Sequence, residues 1–289
     1  MELESDPSMS DAQAQVRKVF ITVKTYPTLS TKYDELVCTA GILDDGNWAR
    51  IYPLPFRKLD YEVRYKKFQW IEVPLIKNPS DPRPESYKID NFNKLKLLGE
   101  PVDTKDYWRT RKEVIFKNSP APTDLSVLIE AAKKNELSLA TFKPSRILDL
   151  KVESTAREWN QEQLDVLAFK AGQLSLFQTV EEVEREFKVV KKLPYKFSYR
   201  FEDCRGREST LMVEDWEIGM LYWNCLEQTG GDERAAVEQV KTKFLNEFIS
   251  KDLYFFLGTT RGFHSRAPNP FIIIGVFYPP VVKQLSLSF

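Results

Sequence analysis

Histidine is almost missing from this chain of 289 residues: His264 is the single one. That excludes a zinc site built on two histidines and any reaction that runs on two imidazoles. Cysteine is nearly as scarce. Cys38, Cys204 and Cys225 are an odd number at wide spacing, so neither a disulfide framework nor a CxxC metal motif is expected, and a reducing cytoplasm fits. No apolar run reaches the eighteen or so residues of a membrane span. Residues 1–15 are polar and acidic, as in a flexible leader and unlike a signal peptide. Net charge is absent too, with 42 basic and 42 acidic residues. A nucleic-acid binder normally carries a basic excess, so contact with DNA requires the charges to be segregated in space.

What is present is ordinary for a soluble globular protein: 42% hydrophobic and 29% charged residues. The length suggests two domains or one large one. Apolar runs with turn residues between them predict strands at Val19–Val23, Leu36–Leu43, Trp48–Tyr52 and Phe68–Ile76, with a hairpin turn at Asp44–Asn47. Asn78 to Pro84 reads as an exposed proline loop. Thr123-Asp124 caps a predicted helix, and Ser145–Glu153 returns to a strand. Arg157–Ala171 and Val180–Val190 are predicted helices. Beyond Pro194 the pattern gives two strands, two helices broken at Gly230-Gly231, and two very apolar strands at Leu253–Leu257 and Phe271–Tyr278. The expected fold class is α+β, with mixed, mainly antiparallel sheets and flanking helices. The expected division is a leader (1–15), a β-rich α+β domain (16–156), a helical connection (157–193), a second α+β domain (194–280) and a tail (281–289).

Three stretches carry candidate chemistry. Between Phe56 and Trp70, Arg57, Lys58, Arg64, Lys66 and Lys67 interleave with Tyr61, Tyr65 and Phe68, a composition suited to neutralising phosphates while stacking bases. The loop Gly258–Arg266 holds Thr260, Arg261, His264 and Arg266 beside two glycines, suited to a phosphate or DNA backbone. Tyr33, Asp34, Glu35, Arg50, Tyr52 and Arg57 lie on neighbouring predicted strands and can converge in a pocket; small β-rich domains of the PUA or ASCH kind bind nucleotides or modified bases in such pockets, an analogy at the level of fold. The acids Glu214, Asp215 and Glu217 sit where a helix begins, which suits capping.

Asp149, Lys151 and Glu153 alternate along one face of a predicted strand. This resembles half of the PD-(D/E)xK nuclease signature, whose carboxylates hold a divalent metal such as Mg2+ while the lysine polarises water. The other half should be an acid at a strand end shortly before, and here only Asp124 precedes, at a helix start. A solvated sheet face produces the same alternation.

Two short peptides match one another: Gln173-Leu174-Ser175-Leu176-Phe177 and Gln284-Leu285-Ser286-Leu287-Ser288-Phe289. Both resemble the peptides with which bacterial DNA polymerases and repair proteins bind the replicative sliding clamp, in the pentapeptide and hexapeptide spacings. The resemblance implies Gln173 and Gln284 as the polar ends, with Leu174, Leu176, Phe177, Leu285, Leu287 and Phe289 as apolar anchors in a preformed groove. The expected function is therefore a cytoplasmic, DNA-associated bacterial protein recruited to the clamp for DNA replication, repair or phage defence. A metal-dependent nuclease and a non-enzymatic reader of modified DNA or a nucleotide stand as alternatives.

Overall fold

A computed structural model describes residues 13–30, 34–54, 64–160 and 191–282. Both clamp-like peptides, the expected helix Val180–Val190, and Tyr33, Arg57, Lys58 and Tyr61 lie outside these residues, as does the helix expected over Arg157–Ala171 except for residues 157–160, which are not helical. The fold is α+β with mostly antiparallel sheets, as the sequence predicts.

The first half is a barrel. Strand β1 (Gln15–Lys24) pairs with β4 (Thr39–Leu43), and β4 with β5 (Trp48–Ile51). Between β1 and β4 lies a small hairpin of β2 (Thr28–Ser30) and β3 (Asp34–Leu36). Strand β6 (Trp70–Lys77) returns to pair with β1, and β7 (Ser86–Ile89) fills the gap between β6 and β5. The order β1-β4-β5-β7-β6 thus closes on itself, with β5–β7 its only parallel pairing, while β8 (Lys96–Leu98) extends β6 at one edge. Closure removes the free strand edges that a small sheet would otherwise expose. The turn from β4 to β5 needs a positive φ, and Gly46 supplies it at 90°.

Burial in β1 explains its sequence. Val19 and Ile21 point into the barrel beside Ala49, Ile51, Val73 and Leu75. Phe20 and Val23 point outward yet are equally buried, because a second sheet covers them. That sheet has the order β14-β13-β9, formed by β14 (Phe271–Phe277), β13 (Tyr254–Thr259) and β9 (Leu139–Phe142). Its strands are buried on both faces, which is why they read as unbroken apolar runs. Phe256, Ile274 and Phe277 face the barrel, where Trp48 meets Phe256 edge-on with ring centroids 5.5 Å apart. Phe255, Leu257 and Ile273 face the opposite way.

On that far side lie a third sheet and the helices. Strands β10 (Arg146–Ser154), β11 (Tyr195–Glu202) and β12 (Glu208–Met212) form an antiparallel sheet. Its inner residues Leu150, Phe197, Tyr199 and Phe201 share one core with α2 (Leu125–Lys133), α3 (Trp216–Gln228) and α4 (Glu233–Lys241). Asp124, Asp215 and Asp232 cap these helices through their carboxylates, so the expected role of Asp124 and Asp215 at helix starts is what is found. Helix α4 continues through a π turn at Thr242–Glu247. Helix α1 (Lys105–Ile115) begins with Asp106, Tyr107 and Trp108 at positive φ, a left-handed turn that puts Trp108 against Phe277 and Tyr278.

Strands β9 and β10, expected with the first domain, pair with β13 and β11 of the second half. Among the described residues, no helix is long and apolar enough to cross a membrane.

Candidate functional site

The barrel and the middle sheet do not meet perfectly. Between them a cavity of about 190 Å3 remains, lined by Thr25 and Cys38 from the segment joining β1 to β4, Thr39 at the start of β4, Arg50 and Tyr52 at the end of β5, Arg83, Glu214, and Gly258–Arg261. Two leads from the sequence converge here: Arg50 with Tyr52, and the basic loop after β13. Arg83 was not foreseen. The segment Asn78–Pro84 was expected to be exposed, but Asn78, Asp81 and Arg83 are buried. The reason is local charge pairing: Arg83 donates to both oxygens of Asp81 at 2.9 and 2.6 Å, and Ser86 donates to Asp81 at 2.9 Å. The loop therefore folds inward as a neutral unit.

Arg50 is the central charge. It is 4% exposed, and its guanidinium donates to the Ser138 hydroxyl at 2.7 Å and to the carbonyls of Ser138 and Thr259 at 3.2 and 3.4 Å. No carboxylate touches it among the described residues. The nearest acid in the network, Glu85, is one residue removed, accepting from the Ser138 hydroxyl at 2.6 Å. Burial and the neighbouring Arg83 pull the Arg50 pKa down to about 10, so it remains a cation at neutral pH. A guanidinium has five donors, and these contacts leave some of them unused. A buried cation without a direct counter-ion is a standing attraction for an anionic or carbonyl-bearing ligand.

Arg83 also donates to the Thr259 carbonyl, so both arginines grip the root of the basic loop. Beyond it, Arg261, Phe263 and Arg266 are exposed, and Arg261 has no side-chain partner among the described residues. Phe263 is 63% exposed, one of several large apolar side chains at the surface. The Thr260 hydroxyl is buried without a hydrogen-bond partner. At another part of the wall, Glu214 is held by its backbone, accepting from Tyr26 N at 3.1 Å, while burial pushes its carboxyl pKa up.

The remaining expectations fare differently. His264, expected to face phosphate, is 4% exposed, with Nδ1 2.9 Å from the Thr259 hydroxyl and Nε2 2.8 Å from Asn135 Oδ1. Burial, with Arg83 and Arg50 nearby, pulls its pKa down. It is a neutral strut that shapes the loop and offers nothing to a ligand. Lys67 is likewise interior. Its ammonium donates to Asp215 at 3.2 Å and Glu217 at 2.9 Å, tying the barrel to the N-terminus of α3. Arg64 and Lys66 lie at the surface on the same segment.

Asp149, Lys151 and Glu153 share the outer face of β10, as the alternation implies. Lys151 and Glu153 are exposed, Glu153 pairs with Lys196 at 2.8 Å, and Asp149 stands opposite Arg200. Among the described residues no group of three His, Cys, Asp or Glu side chains can hold a metal. The set has the geometry of a solvated, charge-paired sheet face.

Comparison with known proteins adds family placement. Among curated proteins none matches. A replication protein A heterotrimer bound to ssDNA matches at 10% identity over 95% of this chain and 67% of that one, with a TM-score of 0.26, too low to carry an argument about the fold. Residues 15–117 match the model described as Domain of unknown function (DUF8758), and residues 123–288 match Domain of unknown function (DUF8757). The two matches meet where the barrel gives way to α2, and since the second covers more than half of the sequence, the chain belongs to the DUF8757 family.

Proposed function

We propose that this chain is a DNA-associated binding protein that takes one exposed nucleotide into the cavity between barrel and middle sheet, with the Arg261–Arg266 loop engaging the adjoining backbone. The observation that carries this reading is the buried Arg50 in the cavity wall, which no carboxylate touches among the described residues. Architecture supports it by analogy. Five-stranded Greek-key barrels of the OB kind bind oligonucleotides on the face of their second and third strands and on the loops after the first and fourth. Here those strands are β4 and β5, and the loops supply Thr25, Cys38 and Arg83. Most of that face is covered by the middle sheet, so the cavity is the part left open. At about 190 Å3 it is smaller than the ~300–1,000 Å3 of typical ligand pockets, which suits one base and excludes a stacked pair. Arg261 in its wall, with Phe263 and Arg266 further along the same exposed loop, offers phosphate partners and a stacking ring.

Recruitment to the sliding clamp through the two peptides at 173–177 and 284–289 completes the proposal and rests on their sequence. Zero net charge favours such an arrangement, because a protein without a basic excess gains little affinity from DNA alone. The test is fluorescence anisotropy of the full chain with labelled single- and double-stranded oligonucleotides, beside clamp binding by surface plasmon resonance. Arg261→Glu with Arg266→Glu should weaken DNA binding, and Leu176→Ala with Phe177→Ala should weaken clamp binding. DNA affinity that ignores the arginine changes refutes the cavity reading.

A further inference from the structure

The cavity has two chemically different ends. Glu214 donates its backbone N–H to Ile273 O at 2.8 Å, and Ile273 pairs with Leu257, two residues along β13 from Thr259, whose carbonyl accepts from Arg50 and Arg83. Glu214 therefore joins the cavity wall at a different level of the sheet from the two guanidinium groups. It also has no hydrogen bond or ion pair from its side chain among the described residues, which leaves the carboxylate available to a ligand. The buried hydroxyl of Thr260 is a second polar group without a partner. Between the ends the walls are apolar, formed by Val23, Ala40, Ile272 and Ile274.

Resting on the nucleotide-binding reading, we infer that the cavity selects guanine, with Arg50 reading acceptors on one edge of the base and Glu214 reading donors on the opposite edge. The complementarity is that of the bases themselves. Guanine presents O6 and N7 as a pair of acceptors that suits a guanidinium. It presents N1–H and the N2 amine on its other side, two parallel donors that suit a carboxylate. Thymine has no amine for Glu214. Adenine has no carbonyl for Arg50, and its amine lies beside N7 on the arginine side. Cytosine satisfies Glu214 with one amine, but it is a single ring and its acceptors adjoin that amine. Only guanine has both pairs on opposed edges, and the flat apolar walls suit its double ring. A site whose buried polar groups are matched by one ligand rejects others by leaving those groups unpaired.

The experiment is isothermal titration of the full chain with the four deoxynucleoside 5′-monophosphates, and with inorganic phosphate as a control. The wild type is compared with Glu214→Gln, checked for an unchanged circular dichroism spectrum. The guanine nucleotide should bind about tenfold or more tighter than the other three. Glu214→Gln, which replaces an acceptor by a donor, should erase that preference, and phosphate alone should bind weakly. Equal binding of all four nucleotides, preference for another base, or a guanine preference untouched by Glu214→Gln overturns the inference while leaving the nucleotide-binding reading in place. Absence of binding by every nucleotide overturns that reading as well. Should Glu214→Gln fail to fold, the wild-type order of the four bases still decides the matter.

Discussion

Replacing Lys67 by methionine tests how the barrel is joined to the rest of the molecule. The Lys67 side chain is 8% exposed and Asp215 is 1% exposed, so the pair is cut off from water. Burial works against both charges. Asp215 and Glu217 nevertheless lift the Lys67 pKa above its ordinary range, so it stays charged. Methionine keeps the apolar stem and deletes the ammonium, leaving Asp215 with the backbone N–H groups of Glu217 at 3.0 Å and Val276 at 3.2 Å. Breaking a buried pair on one side usually costs about 3–5 kcal/mol. The two remaining donors and the ability of Asp215 to take up a proton place this case near the lower end, about 3 kcal/mol. Urea unfolding should show that loss, and a double-mutant cycle with Asp215→Asn should return a coupling of about 1–3 kcal/mol. A loss below about 1 kcal/mol, as for pairs in water, would refute the claim that this contact is sealed.

Other perturbations separate structure from function. Against the upward push of burial, Arg83 and Ser86 hold the Asp81 pKa down to about 2. A depressed carboxylate contributes stability above its unfolded pKa and loses it as pH falls. Acid titration of unfolding should therefore lose about 2 kcal/mol between roughly pH 4 and pH 2, and Asp81→Asn should flatten that loss. Gly219 lies under the Tyr26 ring, where a Cβ would come within 2.2 Å of the ring; Gly219→Ala should destabilise by about 1–3 kcal/mol in thermal melts. Lys151→Ala removes an exposed side chain from the face of β10. It should change stability by no more than about 0.5 kcal/mol. A Mg2+-dependent nuclease activity abolished by it would contradict the charge-paired surface described for β10.

Much of the fold is legible in the sequence, because period and capping are local. The cap at Asp124, the turn at Gly46 and the runs that became β1, β13 and β14 all follow from neighbours along the chain. Closure of the barrel is not local. Strand β7 is four residues long and pairs with β5 from far along the chain, so no periodicity announces it. The same holds for the site. Arg50 and the loop at Thr260 carry a signal in residue type, whereas Arg83 sits in a proline-rich stretch that reads as solvated. The spacing Asp81-x-Arg83 is the one sign available, an acid placed to neutralise an arginine two residues on. His264 and Lys67 mislead for the converse reason: their chemistry suits a ligand, but three-dimensional partners use it up.

The most direct test of the central claim is competition. A labelled single-stranded oligonucleotide bound to the full chain is titrated with an unlabelled deoxynucleoside monophosphate, for wild type and for Arg50→Gln folded to the same spectrum. One shared cavity predicts that the mononucleotide releases the oligonucleotide from the wild type, and that Arg50→Gln weakens both ligands together. An oligonucleotide that stays bound at saturating mononucleotide, or that binds Arg50→Gln unchanged, would place DNA elsewhere on the molecule and contradict the account.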